Sequence, residues 1–281
     1  MVLLPLGSVS LPPAAEQINA AWLGQLEEQL DAPGADWYAV VRETLTALMA
    51  PGTDPAEQLE DPAVPAATKV QLAALDPHNI TLEPEYYGDV DRERFARVKP
   101  LLWLWYSFDR TPAGGQNVDL GVRLRRLLAQ RIFARCGRNF KCFQHTELSF
   151  GYNMEVGDDV VVHRHVLLDD RGGITLGNRV SIADYANIYS HTHSIVDQKD
   201  VTSVRTVLED DVRITYHATV LAGVRVGRNG MVGAGALATK NVRPFHVNVG
   251  IPAKSVRVKP NAPPEVYVTE RVSGRAGESS S

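Results

Sequence analysis

Cysteine is nearly absent: Cys136 and Cys142 are the only two, with five residues between them. That spacing matches neither a CxxC redox motif nor a zinc pattern, which excludes a disulfide-stapled fold and predicts free thiols in a reducing cytoplasm. Long apolar runs are missing as well. The longest, Leu101-Leu-Trp-Leu-Trp-Tyr-Ser-Phe, falls far short of the roughly 20 residues of a membrane span. Met1-Val-Leu-Leu-Pro-Leu is apolar but has no basic flank, and Pro12-Pro13 follow soon after, so it reads as a poor signal peptide. A soluble protein without a membrane span is expected. Net charge is also small, -4 overall, which gives no argument for a nucleic-acid partner.

What is present is a chain of 281 residues, 44% hydrophobic, enough for one large core or two smaller ones. Its charge is divided. Residues 1–100 hold 6 basic and 16 acidic residues, and residues 101–281 hold 23 and 17. Opposite signs in the two halves predict two domains with different partners, and the basic half suits a small anionic ligand such as a nucleotide phosphate.

Residues 14–31 place Ile18, Trp22, Leu26 and Leu30 at fourfold spacing, and Trp37, Val41, Leu45 and Leu48 continue a similar stripe. Both predict amphipathic helices. Pro51, Pro55, Pro62 and Pro65 mark residues 51–65 as a loop, with a short helix at 66–75. A helix from Asp91 to Phe108 is expected to break at Pro100 and to end at the Thr111-Pro-Ala-Gly-Gly turn. Val118 to Cys136 reads as a basic interface helix with a solvated edge of Arg123, Arg125, Arg126, Arg131 and Arg135.

Beyond residue 140 aliphatic residues recur every six positions. The series is Phe150, Val156, Val162 and Leu168, then, after a slip of two, Leu176, Ile182 and Ile188, and after a long gap Leu208, Ile214, Val220, Val226, Val232 and Ala238. A sixfold period fits neither a helix nor a simple strand. It fits a coil of three short strands per turn, each with one aliphatic residue pointing inward. Where the next inward residue would fall at 194, fourteen extra residues leave the coil as a loop that starts with His191-Thr-His193. Such loops are where repeat proteins keep their chemistry. An imidazole there titrates near neutrality and can accept a proton from an attacking hydroxyl or amine.

The segments Phe150-Gly-Tyr-Asn-Met-Glu-Val-Gly157, Leu168-Asp-Asp-Arg-Gly-Gly-Ile-Thr-Leu-Gly177, Tyr189-Ser-His-Thr-His-Ser194, Val232-Gly-Ala-Gly-Ala-Leu-Ala-Thr-Lys240 and Gly250-Ile-Pro-Ala-Lys254 resemble the hexapeptide-repeat acyltransferases. Within that family the maltose and galactoside O-acetyltransferases and the capsule-sugar acetyltransferases are the most similar. The resemblance covers about residues 140–258. It implies a mainly β fold, a left-handed parallel β-helix of hexapeptide repeats behind an α-helical N-terminal domain. It also implies a homotrimer with acetyl-CoA, or another acyl-CoA, as cosubstrate in the cleft between protomers and no tightly bound cofactor. The expected division is a helical domain at 1–110, a basic connecting helix at 111–139, the β-helix at 140–258 and a tail at 259–281.

Residue by residue, the resemblance implies His193 as general base, with His191 beside it. His163 and Asp170, or Asp169 if the register slips by one, fall at acceptor-holding positions, His163 replacing the family's Asn. The backbone N–H of Tyr216 falls where the thioester oxygen is polarised, although Thr215-Tyr216 replaces the family's Gly and small residue. Arg213 stands where the galactoside enzymes carry Trp. Gly233, Ala234 and Gly235 match the pantetheine slot, Thr239 and Lys240 follow it, and Lys254 and Arg257 match the cations near the adenosine phosphates. Relatives draw an acidic acceptor group from the cap, for which Glu83, Glu85, Asp89 and Asp91 are candidates.

The implied reaction is direct acetyl transfer from acetyl-CoA to a sugar or glycan hydroxyl, or to an amine of an amino sugar. Two other readings stand beside it. One is a catalytically inactive trimeric scaffold whose helical domain binds a protein partner. The other is zinc chemistry of the β-helical carbonic anhydrase type, against which the pairs His163/His165 and His191/His193 have the wrong spacing and His217 lacks a partner at 212 or 222.

Overall fold

The computed structural model describes residues 10–197 and 199–267. The apolar start at Met1 and the terminal Gly-Glu-Ser-Ser-Ser lie outside them. No helix among the described residues is long and apolar enough to cross a membrane.

Among the described residues, six α-helices and two short 3-10 helices precede the strands. α1 (Pro13–Asp31) starts on a proline, whose fixed φ suits a first helical turn and whose missing N–H would be unpaired there anyway. It buries Leu23, Leu26 and Leu30, but Ile18 of the expected stripe is 68% exposed because the first turns run past the core. α2 (Trp37–Met49) is capped by Asp36, whose carboxylate accepts from Tyr38 N and Ala39 N at 3.0 and 3.3 Å. The proline-rich stretch expected as loop contains α3 (Pro55–Glu60). There Asp54 accepts from Ala56 N at 2.9 Å and Pro55 takes the first helical position, so the Asp-Pro pair starts a helix. α4 (Ala66–Ala73) follows.

α5 (Arg92–Phe108) runs unbroken through Pro100, contrary to the expected break. Proline at 100 removes the bond to the carbonyl of Ala96, and the Tyr38 hydroxyl donates to that oxygen at 2.9 Å. α6 (Val118–Ile132) ends four residues earlier than expected, because Arg135–Cys136 is already the first strand of the coil, ahead of residue 140.

The strands stack on three faces. One carries Arg135–Cys136, Met154–Val156, Ile174–Leu176, Thr206–Leu208 and Arg225–Val226 in parallel; the second begins at Lys141–Cys142 and the third at Glu147–Leu148. Twelve of the thirteen expected inward positions sit on strands, from Val156 to Ala238, and each is at most 1% exposed. Phe150 is the exception. Leu148 pairs with Leu168 and is the inward strand residue, while Phe150 is buried in the following corner. The slip of two therefore occurs between Leu148 and Val156 as well as between Leu168 and Leu176, and the fourteen-residue excursion leaves from the same corner one turn later. The second face is closed by an antiparallel pair, His246–Val249 with Lys254–Val258.

Helices and coil share one hydrophobic cluster. Trp105 Nε1 donates to Thr146 O at 3.0 Å, and the Tyr106 hydroxyl donates to Leu148 O at 2.9 Å. The basic edge of α6 is not simply solvated. Arg125, 2% exposed, pairs with buried Asp109 and donates to Cys142 O at 3.1 Å, and Arg126 Nε donates to Phe140 O at 2.8 Å. Arg131 holds Asp31 at 2.6 Å and Arg123 holds Glu16 at 2.8 Å, both on α1. The opposite charges of the two halves thus meet partly within the chain.

Candidate active site

The corner that carries the extra residues is where the candidate chemistry gathers. Asp170 is fully buried there. Its Oδ1 accepts from Phe150 N and Gly151 N at 2.7 and 2.9 Å, and its Oδ2 from Asn153 N at 3.0 Å. Burial outweighs those three donors and pushes its carboxyl up to about 6. With both oxygens turned onto the preceding corner, Asp170 has no free face for the acceptor-holding role expected of it; that is a correction.

Its neighbour Asp169 faces the histidine loop. It is 2% exposed, and its Oδ1 accepts from Ser149 Oγ at 2.9 Å. Its Oδ2 meets His191 Nδ1 and accepts from Ser190 N at 3.3 Å. A carboxylate on Nδ1 fixes the imidazole's orientation and leaves Nε2 as the nitrogen able to exchange a proton with another group.

The loop leaves the coil as a hairpin, His191–His193 antiparallel to Val201–Ser203. Val204 N donates to Ser190 O at 2.8 Å, closing its base over Gly172. An added Cβ at Gly172 would sit 2.2 Å from Ser190 O and 2.5 Å from Val204 N, so only glycine fits beneath the loop. His193 is exposed, its ring edge-on to His191 at 5.2 Å between centroids.

The remaining expected residues lie elsewhere in the chain. His163 stands at the corner between the second and third faces, stacked on Phe143 at 5.0 Å. Tyr216 and Gly233-Ala234-Gly235 occupy that same corner on later turns, and Tyr216 O accepts from Gly235 N at 2.9 Å. Gly235 has φ +66° and open space where a Cβ would be, whereas a Cβ at Gly233 would meet Val249 Cγ1 at 2.5 Å. Gly235 thus leaves an open approach, and Gly233 is required by packing. Arg213 and Arg257 share a row on the second face, with Met231 and Val247 between them. Lys254 is exposed on the same final strand as Arg257, and Thr239 and Lys240 are exposed past the third face. The structure thus gathers Asp169, His191 and His193 at the corner after the third face, where Thr239 and Lys240 also stand on a later turn, and Tyr216 with Gly233-Ala234-Gly235 at the corner between the second and third faces.

Each of the four acidic candidates ahead of the coil has a partner. Glu85 accepts from Leu82 N and pairs with Lys99, Asp89 pairs with Arg171 at 2.8 Å, and Asp91 caps α5 by accepting from Arg94 N at 3.0 Å. Glu83 accepts from the Tyr87 hydroxyl and faces a cavity between helices and coil. The sequence signal that points to Asp169 is its place beside the two-residue slip, on the corner from which the histidine loop leaves one turn later. Among the described residues no three His, Cys, Asp or Glu side chains converge as a metal site.

No family model matches the chain. It is similar to the galactoside O-acetyltransferase of Escherichia coli, 26% identical over 140 residues that cover 48% of this chain and 69% of that protein. The chain spans about half or less of three further curated acetyltransferases it matches, 54%, 39% and 50% of their lengths. Among solved structures, a maltose O-acetyltransferase from Clostridium difficile superposes with a TM-score of 0.54 at 22% identity, covering 62% of this chain and 91% of that one. A hexapeptide-repeat acetyltransferase from Vibrio cholerae, complexed with acetyl-CoA, gives 0.53 at 21%, covering 65% and 98%. These superpositions establish the fold as the left-handed β-helix.

Proposed function

We propose that the chain is a hexapeptide-repeat acyltransferase, as its similarity to the galactoside O-acetyltransferase and its shared fold support, and that it moves an acetyl group from acetyl-CoA directly to a sugar or glycan hydroxyl, with a loop histidine as base. The observation that carries this reading is the hairpin that holds His191 and His193 side by side next to the buried Asp169 carboxylate. His193 is the base. Its imidazole takes the acceptor O–H proton as that oxygen forms a bond to the thioester carbonyl carbon. Collapse of the tetrahedral intermediate breaks the C–S bond, and the imidazolium returns the proton to the departing CoA sulfur.

The N–H of Tyr216 stabilises the oxyanion, a type of contribution worth roughly 3 kcal/mol in general. Gly233, Ala234 and Gly235 give the pantetheine arm a close approach to the backbone, Arg213, Thr239 and Lys240 add cofactor contacts, and Lys254 and Arg257 face the adenosine phosphates, whose oxygens accept charge-assisted hydrogen bonds. His163, His191 and Asp169 hold the acceptor side. Because the histidine hairpin stands at a different corner from Tyr216 and Gly233-Ala234-Gly235 in one chain, the reaction uses the cleft between adjacent copies of a homotrimer.

A second reading of the base has its own support. The Asp169 carboxylate against Nδ1 orients the His191 ring, which is half-buried where His193 is exposed. Free thiol released from acetyl-CoA, read across a panel of sugars, amino sugars and hydroxy amino acids, tests the function. His193→Ala is expected to lower kcat at least about a hundredfold with the fold intact. A loss confined to His191→Ala moves the base to His191, and undiminished rates in both variants sink the loop-histidine mechanism. Calorimetry that finds no saturable acetyl-CoA binding would leave the scaffold reading in its place.

A further inference from the structure

Behind the histidine corner, where the helical region meets the first two turns of the coil, lies a cavity of about 320 Å³. That is the lower end of the roughly 300–1,000 Å³ range of ligand pockets, room for one small ring. Its walls are the half-buried rings of Tyr87, Trp103 and Tyr106, and its floor includes Leu102 and Leu148. On its rim stand exposed Glu83, Glu147 and Arg110. Among the described residues neither Glu147 nor Arg110 has an ion-pair partner.

Aromatic walls with carboxylates and a guanidinium at the mouth suit a carbohydrate ring. Its C–H face packs on the aromatics, and its hydroxyls donate to carboxylate oxygens and accept from the guanidinium. The loop imidazoles do not line the cavity, so it is not where the acetyl group is received, but a contact chain through Ser149 and Asp169 joins the two. Ser149 lines the cavity and donates to Asp169 Oδ1 at 2.9 Å, while the other oxygen of Asp169 meets His191. The cavity wall and the His191 ring are thus joined through one carboxylate, Asp169.

We propose that this cavity is a subsite for a second, non-reacting sugar ring, so that the acceptor is an oligosaccharide and not a free monosaccharide. The inference rests on the acetyltransferase reading and narrows its acceptor. A ring held by Trp103, Tyr87 and the Glu83–Glu147 mouth anchors the chain of sugars while the neighbouring ring presents its hydroxyl to the loop histidine.

The test compares glucosyl, galactosyl and N-acetylglucosaminyl monosaccharides with their disaccharides, in the full-length protein with acetyl-CoA. One disaccharide is expected to exceed its monosaccharide in kcat/KM by at least about tenfold, through KM. Glu147→Gln, exposed at the cavity mouth and outside the Ser149–Asp169–His191 contacts, should remove that preference and leave the monosaccharide rate unchanged. Glu83→Gln should weaken the preference as well. Calorimetric titration of the preferred disaccharide into the protein without acetyl-CoA should give saturable binding that Glu147→Gln weakens about tenfold. Equal kcat/KM for mono- and disaccharides, or a preference untouched by Glu147→Gln, overturns the subsite. Acetyl transfer to non-sugar acceptors alone would overturn the sugar reading instead, and absence of disaccharide binding in the calorimeter would then overturn the subsite too.

Discussion

Along the coil each turn is joined to the next by the same main-chain contacts, such as Gly157 N to Leu176 O at 2.8 Å and Gly177 N to Leu208 O at 2.7 Å. The helices ahead of it are joined by side-chain contacts that each occur once. Lys99 Nζ donates to Ile80 O at 2.7 Å, Trp103 Nε1 to Ala74 O at 2.8 Å, and Tyr38 to Ala96 O at 2.9 Å. A repeated backbone ladder distributes stability over many equivalent turns, whereas single contacts make each residue decisive. The seam between the two regions combines both, and it is where the cavity and Asp169 are found.

The seam should break hardest. Arg125 and Asp109 are 2% and 6% exposed and tie α6 to the corner that starts at His145, whose N–H donates to Asp109 at 2.6 Å. Arg125→Ala leaves the Asp109 carboxylate buried without its cation, and the expected loss is about 3–5 kcal/mol by chemical denaturation. A loss below about 1 kcal/mol would mean that helices and coil do not depend on this pair. Within the coil, Ile182→Ala should cost about 2–5 kcal/mol because the neighbouring turns cannot collapse onto the gap. Ile18→Ala on α1, 68% exposed, should stay within about 0.5 kcal/mol. Equal losses at the two isoleucines would contradict the contrast between a filled column and a projecting helix end.

Asp170 sharpens the comparison through pH. Burial raises its carboxyl from 3.8 to about 6, so the folded chain favours the neutral acid more than the unfolded chain does. Its contribution is complete below the ordinary carboxylate value and is lost as pH rises through about 6. Denaturation midpoints of wild type and Asp170→Asn at pH 4, 5, 6 and 7 should therefore diverge. The wild type loses ground to the variant across that window, by about 3 kcal/mol at most. A constant gap would mean that the three backbone donors hold the carboxylate ionised throughout.

How much was legible follows from the same contrast. Val156, Ile182 and Val232 announce the coil because every turn needs the same inward aliphatic residue, and the period survives both slips. His191 and His193 were visible because a loop interrupts that period. Asp169 and Asp170 were hard to tell apart, since strand alternation turns adjacent residues to different sides and one residue of register decides which carboxylate meets the imidazole. Ser149 and the aromatic cavity were illegible, being juxtapositions of α5 with the coil that no local spacing records.

Pro100 is the sharpest case of such an omission. A proline inside a helix predicts a break because it removes a donor and crowds the preceding turn. Here α2 supplies the missing donor, the Tyr38 hydroxyl on Ala96 O, from 58 residues away in sequence. Tyr38→Phe keeps the ring and deletes only that donor. The expected loss is about 0.5–1.5 kcal/mol, the net worth of one hydrogen bond. It should vanish in a Pro100→Ala background, where the backbone N–H returns and bonds Ala96 itself, so a double-mutant cycle reads the coupling directly. Additive losses would mean that α5 tolerates its proline through burial of the ring alone, and that the single contacts of the helical region matter less than the comparison with the coil implies.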